Sequence, residues 1–120
     1  MQITEKEWLV LGKLWDSGGA TLGELTQALR EATGWSRNTV LTYLKRMEAK
    51  GLVVIGEEGY PRSYRAALSQ EACQAQARSD FLRQVYRGAA GDLVAAFLKE
   101  KPISVQKREE LRRLLDEMEV

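Results

Sequence analysis

The chain has 120 residues, of which 44% are hydrophobic and 29% are charged, a composition typical of one globular domain or a small domain with an appendage. Its 18 basic and 17 acidic residues give a net charge of +1, so a nucleic-acid surface would have to concentrate positive charge locally. Histidine is absent, which removes the commonest general base and the histidine-based zinc sites. We therefore expect no catalytic residues, no metal site and no cofactor.

The cysteine content and the lengths of the apolar runs bear on where in the cell the protein is expected to lie. Cys73 is the one cysteine, so no intramolecular disulfide can form, which fits a reducing environment. The first residues lack the basic and apolar regions of a signal peptide, and no apolar run is long enough to span a bilayer. We expect a cytoplasmic protein without a membrane partner, and we interpret Cys73 as a small apolar residue.

Two capping boxes open the first predicted helices. Thr4 with Glu7, and Thr21 with Glu24, have the spacing at which a threonine and a glutamate satisfy each other's backbone amides. Apolar residues at steps of three and four follow each box, and glycines end both helices, the first of which covers residues 5–17. The two residues before the second helix could add a very short strand.

A third helix is predicted over residues 36–50, with Ser36 as its cap and a stop at Lys50 and Gly51. This segment holds four basic residues and one acidic residue, a local charge of +3 in a chain whose total is +1. Its expected buried stripe consists of Val40, Tyr43, Leu44 and Met47. Positive charge is therefore concentrated on this helix.

A β-hairpin is predicted next. Residues 52–55 are short and mostly β-branched, a turn-forming run follows them, and residues 62–66 alternate as a strand does. From residue 69 the pattern is helical, with interruptions at Gly88 and Gly91 and a last helix capped by Ser104. The predicted fold class is mainly α with a small β-hairpin wing: a winged helix-turn-helix over residues 1–68 and a helical dimerisation domain over residues 69–120.

The outer face of the third predicted helix has the side chains that a DNA recognition helix needs. Short hydrogen-bonding groups near the N-terminus can meet base edges, and cations along the flank can meet phosphates. The candidates for DNA binding on this helix are Arg37, Asn38, Thr39, Thr42, Lys45 and Arg46. An ordinary solvated face is the alternative, and the flanking helices and hairpin favour DNA because the whole matches a docking geometry.

The hairpin and the tryptophans offer weaker signals. Arg62 is the candidate phosphate contact from the wing, ahead of Arg65. Two glutamates precede these arginines, so a plain solvated turn is the alternative. Trp8 and Trp15 lie seven residues apart on one helix face, which indicates core packing rather than base stacking. Trp35, directly before the Ser36 cap, is also interpreted as structural.

The C-terminal half has more apolar helix surface than short helices can bury alone. A second copy of the chain is the simplest partner, and folding back onto the N-terminal half is the alternative. The predicted dimerisation residues are Phe81, Leu82, Val85, Leu93, Val94, Phe97, Leu98, Leu111, Leu114 and Leu115.

Nearly the whole chain resembles the penicillinase repressor family of bacterial regulators, which includes methicillin-resistance and copper-responsive repressors. The segments that carry the resemblance are ITEKEW (3–8), LW (14–15), WSRNTV (35–40), TYLKRM (42–47) and KG (50–51), with Tyr64 as the aromatic after the wing. The resemblance implies a homodimer whose third helix enters the major groove of a palindromic operator. It also implies control of β-lactam-resistance or sensor-protease genes, and a regulatory protease that lifts repression.

Two features depart from the family pattern. The family's cleavage point is often asparagine-phenylalanine, whereas the aligned pair here is Ala96 and Phe97. The copper-responsive members carry a cysteine cluster near the C-terminus, and this chain has only Cys73. A sequence-specific dimeric repressor on double-stranded DNA is the leading hypothesis, and a winged-helix protein-interaction module without specific DNA binding is the alternative, motivated by the near-neutral charge.

Overall fold

The computed structural model describes residues 2–118, which form six helices and three short strands. In chain order the elements are α1 (Glu5–Ser17), β1 (Ala20–Thr21), α2 (Leu22–Thr33), α3 (Arg37–Ala49), β2 (Val53–Ile55), β3 (Ser63–Ala66), α4 (Gln70–Tyr86), α5 (Ala90–Glu100) and α6 (Val105–Glu117). The predicted fold class, mainly helical with a small hairpin wing, is confirmed.

Both predicted capping boxes are present. In α1 the Glu7 amide donates to Thr4 Oγ1 at 3.3 Å, and the Thr4 amide donates to Glu7 Oε1 at 2.9 Å. In α2 the pair Thr21 and Glu24 repeats the arrangement at 3.2 and 2.9 Å. Each box satisfies two amides that have no partner inside the helix, so the sequence itself fixes where these helices begin.

The structure divides into two units, Met1–Ala77 and Arg78–Val120. The first unit has a core built by α1, α2, α3 and the strands around them. Its buried apolar residues are Val10, Leu11, Leu14, Ala20, Leu25, Leu29, Val40, Leu44, Met47, Leu52 and Val53. Tyr43, expected in the buried stripe of α3, is only half-buried and packs at the edge of this core. The predicted boundary between a DNA-binding domain (residues 1–68) and a dimerisation domain (residues 69–120) stays a prediction.

The three strands form one antiparallel sheet in the order β1-β3-β2. Ala20 of β1 pairs with Tyr64 of β3, and Val54 of β2 pairs with Arg65 of β3. The short strand proposed at residues 20–21 is therefore real, and it ties the start of α2 to the hairpin. Trp15 adds a second tie, because its Nε1 donates to the Leu68 carbonyl at 2.9 Å.

The second unit has no buried core of its own among residues 78–118. No residue of α5 is buried, nor any of α6, and Phe97 is 54% exposed. The helical structure is interrupted between α4 and α5 at Arg87 and Gly88, both of which have positive φ. The interruption expected at Gly91 is wrong, because Gly91 lies inside α5.

Cys73 is buried in the first unit at 4% exposure, and burial raises the pKa of its thiol. A raised pKa keeps the thiol protonated and unreactive at neutral pH.

Among the helices that residues 2–118 form, none has the length and apolar character that a bilayer span requires.

Candidate nucleic-acid interface

Helix α3 has one face fixed on the core and one face free. Val40, Leu44 and Met47 are fully buried and hold the helix in place. With 3.6 residues per turn, the side chains of Asn38 and Thr42 come out on the other side, and both are exposed. The helix therefore presents a polar surface on a rigid support.

The N-terminus of α3 is capped by Ser36. The Thr39 amide donates to Ser36 Oγ at 3.2 Å, and the hydroxyls of the two residues lie 3.2 Å apart. Thr39 is half-buried, and its hydroxyl is engaged by the hydroxyl of Ser36. The exposed Arg37 guanidinium reaches the start of α2, where a Cβ placed on Gly23 would lie 3.9 Å from Nη1.

Thr42 has its hydroxyl committed inside the helix. Its Oγ1 donates to the Asn38 carbonyl, four residues earlier, at 2.9 Å. A hydroxyl has a single proton, so while this bond is kept Thr42 has none left to donate outward. Towards a ligand, this side chain can offer only its methyl group and the acceptor capacity of its oxygen.

An aromatic stack lies beside the exposed face and was not predicted from the sequence. The rings of Trp35 and Tyr43 are stacked, with centroids 4.3 Å apart and planes inclined by 15°. The Arg46 guanidinium lies over the Tyr43 ring, with Cζ 4.8 Å from the centroid. The spacing of Tyr43 and Arg46, three residues apart on a helix, was the one available signal.

Lys50 is less available to a ligand than its position in the basic segment indicates. Its Nζ donates to both carboxylate oxygens of Glu7, at 2.8 and 3.0 Å, and to the Gln2 carbonyl at 3.0 Å. Burial would raise the pKa of the Glu7 carboxyl, but hydrogen bonds from Lys50 and Thr4 outweigh it and leave this pKa below its usual value. The positive charge that α3 presents to solvent therefore comes from Arg37, Lys45 and Arg46.

The wing is exposed along its tip. Tyr60 is 98% exposed, Arg62 stands directly before β3, and Arg65 projects from β3 to solvent. Two exposed glutamates, Glu57 and Glu58, share this tip. The wing therefore presents both signs of charge, and Arg62 stays a predicted phosphate contact.

The predicted dimerisation residues all lie on the three C-terminal helices. Seven are exposed: Phe81, Val85, Val94, Phe97, Leu98, Leu114 and Leu115. The other three are half-buried: Leu82, Leu93 and Leu111.

As for metals, residues 2–118 bring together no group of three or more acidic or cysteine side chains that could hold an ion.

The three-helix core, the polar outer face of α3 and the three-stranded sheet with its hairpin define a winged-helix protein. Residues 3–117 match the penicillinase repressor family, and the chain belongs to that family. It is therefore a DNA-binding transcription regulator.

Two proteins with similarity to this chain can be named, one from its sequence and one from its structure. An uncharacterized 16.5 kDa protein in the ptsI 3' region of Latilactobacillus sakei is 24% identical over 114 residues, which cover 95% of this chain and 78% of that protein. The crystal structure of a mutant MarR from E. coli superposes with a TM-score of 0.53 at 18% identity, covering 96% of this chain and 76% of that one. The second likeness concerns the fold alone.

Proposed function

We propose that the protein is a homodimeric repressor that binds a palindromic operator with α3 in the major groove. The observation that carries this proposal is the two-faced character of α3. Its apolar side is fully buried, while its outer side combines exposed hydrogen-bonding groups with exposed cations. A helix held in this way can enter a groove without losing its own packing.

The side chains divide into two roles. Arg37, Asn38, Thr39 and Thr42 are the proposed base contacts, since they occupy the first two turns of α3. Lys45, Arg46 and Arg62 are the proposed phosphate contacts, since long cations suit the backbone and carry no sequence information. Thr39 is the weakest of the first group because the Ser36 cap already engages its hydroxyl.

The C-terminal helices are proposed to supply the dimer interface, with residues 1–68 as the DNA-binding domain and residues 69–120 as the dimerisation domain. Apolar side chains such as Phe97 and Leu115 are more than half exposed on helices that bury no residue of their own. A matching copy would cover such a surface, and would place two modest DNA-binding faces on one duplex. A palindromic operator then matches the twofold symmetry of the protein.

We further propose that the target genes encode β-lactam resistance or a sensor-protease, and that a regulatory protease releases repression. Membership of the penicillinase repressor family supports both proposals. The bond between Ala96 and Phe97 lies inside α5. A protease would reach it only after that helix opened locally, which is a low-cost event in a segment with few buried contacts.

The test is a titration of the full-length protein onto duplex DNA from its own promoter region over a range of salt concentrations. We expect binding that falls steeply with salt, as counterions are released from phosphates. Lys45→Ala should weaken binding to all sequences and reduce the salt slope by about one for each subunit, or about two for the dimer, whereas Arg108→Ala, a charge removal on α6, should not. Salt-insensitive or absent DNA binding at low salt would contradict the proposal and favour a protein-interaction module.

A further inference from the structure

Trp35, Tyr43 and Arg46 form a continuous stack on the side of α3. Trp35 directly precedes the Ser36 cap, and its ring lies against Tyr43 with centroids 4.3 Å apart. Both rings are half-buried and pack against the core of the first unit, so neither is a freely rotating surface group. Arg46, exposed to solvent, places its guanidinium 4.8 Å from the centre of the Tyr43 ring.

This contact differs from an ion pair in what it leaves free. The attraction between a guanidinium and the face of an aromatic ring does not require its N–H donors, whereas an ion pair with a carboxylate uses them. Within residues 2–118, no carboxylate lies within ion-pair distance of Arg46. The side chain is therefore held in place while its donors remain available to an incoming anion.

We propose that Trp35 and Tyr43 are positioning residues that hold the Arg46 guanidinium ready to donate to a DNA phosphate. A free arginine loses rotamer freedom when it binds, and the stack removes part of that loss before DNA arrives. Tyr43 acts on DNA through Arg46 and does not touch it. This inference rests on the proposed function, since it needs α3 to lie against a duplex.

The experiment measures full-length protein binding to a mixed-sequence duplex, so that the operator need not be known. Tyr43→Leu keeps an apolar helix-forming side chain and removes the ring, and should weaken binding about two- to fivefold. Tyr43→Phe keeps the ring and should bind as the wild type does. In an Arg46→Ala background, Tyr43→Leu should have no further effect, because there is no guanidinium left to hold.

A purely structural role for Tyr43 gives a different result. In that case Tyr43→Leu would weaken binding equally in both backgrounds, and the inference would be overturned. Arg46→Lys tests the stack while leaving the Trp35 and Tyr43 rings unchanged. The charge stays, but a hydrated ammonium replaces the planar guanidinium, and we expect about a twofold loss of DNA affinity. Unchanged affinity of that variant would also overturn it.

The two proposals fail in separate ways. If the wild type binds no duplex at low salt, the repressor function fails, and the role of the stack fails with it. If the wild type binds with a steep salt dependence and Tyr43 and Arg46 are not coupled, only the positioning role is lost.

Discussion

Lys50, at the end of α3, donates to both carboxylate oxygens of Glu7 in the first turn of α1, at 2.8 and 3.0 Å. Glu7 is 5% exposed and also completes the capping box of α1 with Thr4. One carboxylate thus fixes the start of the first helix and the end of the third. Because α3 carries the proposed DNA-binding face, this pair helps to set the position of that face on the core.

Glu7→Gln should lower the free energy of unfolding by about 1–2 kcal/mol. A charge-assisted hydrogen bond to a buried group contributes more than this, but the Lys50 side chain is 36% exposed and the pair is partly screened. Chemical denaturation of the two proteins gives the difference. Glu5→Gln, an exposed change in the same turn, is the matched control and should lie within a few tenths of a kcal/mol of the wild type. A loss in the control as large as that of Glu7→Gln would show that the pair with Lys50 is not responsible.

The same carboxyl makes stability depend on pH. Its folded-state pKa lies below the ordinary value of 4.5, so its contribution is complete above that value and is lost as the pH falls through the folded pKa. Glu24, whose hydrogen bonds from Thr21 also lower its pKa, acts in the same direction. Denaturation midpoints measured between neutral and acid pH should therefore fall less steeply for Glu7→Gln than for the wild type. Parallel curves for the two proteins would contradict this assignment.

Thr42 should read DNA through its methyl group. As long as its hydroxyl proton stays bound to the Asn38 carbonyl, Thr42 can touch a thymine methyl but does not donate to a base acceptor. Thr42→Val keeps the methyl group, replaces the hydroxyl with a second methyl and should retain the base preference. Thr42→Ser loses the methyl and should relax that preference, with about 1 kcal/mol of discrimination at stake in each half-site. Competition binding against single-base operator variants measures this. The reverse order of the two variants would show that the hydroxyl is the reading group.

Short sequence patterns predicted the local structure of this chain well, but they could not show contacts between residues far apart in the sequence. The threonine and glutamate spacings at residues 4–7 and 21–24 contain both partners of each hydrogen bond, so both helix starts are correct. The bond from Lys50 to Glu7 joins residues 43 apart, and no local pattern could show that this lysine of the basic segment already has a partner.

Two other errors have more local causes. Gly88 and Gly91 were both expected to break a helix because glycine is a poor helix former. The break at Gly88 is confirmed, since the backbone φ is positive there and at Arg87, but Gly91 does not interrupt the helix. Helix α5 tolerates Gly91 near its start, where propensity is a weak constraint. Tyr43 has the periodicity of a core residue, but the neighbouring Trp35 ring covers it instead of the core interior.

The proposed dimer gives the sharpest prediction for the C-terminal half. Phe97 is 54% exposed on α5, and an acidic side chain there would be buried against an apolar partner surface, which is strongly unfavourable for a charge. Phe97→Asp should therefore yield a monomer at micromolar concentration in equilibrium sedimentation and weaken operator binding more than a hundredfold, since linked sites raise avidity by about that factor. Lys99→Asp is the control, because helical geometry places it opposite the apolar face of α5. It should remain a dimer, and binding to a single half-site should be equal in both variants. A wild type that sediments as a monomer, or a Phe97→Asp variant that remains a dimer, would contradict an interface built on α5.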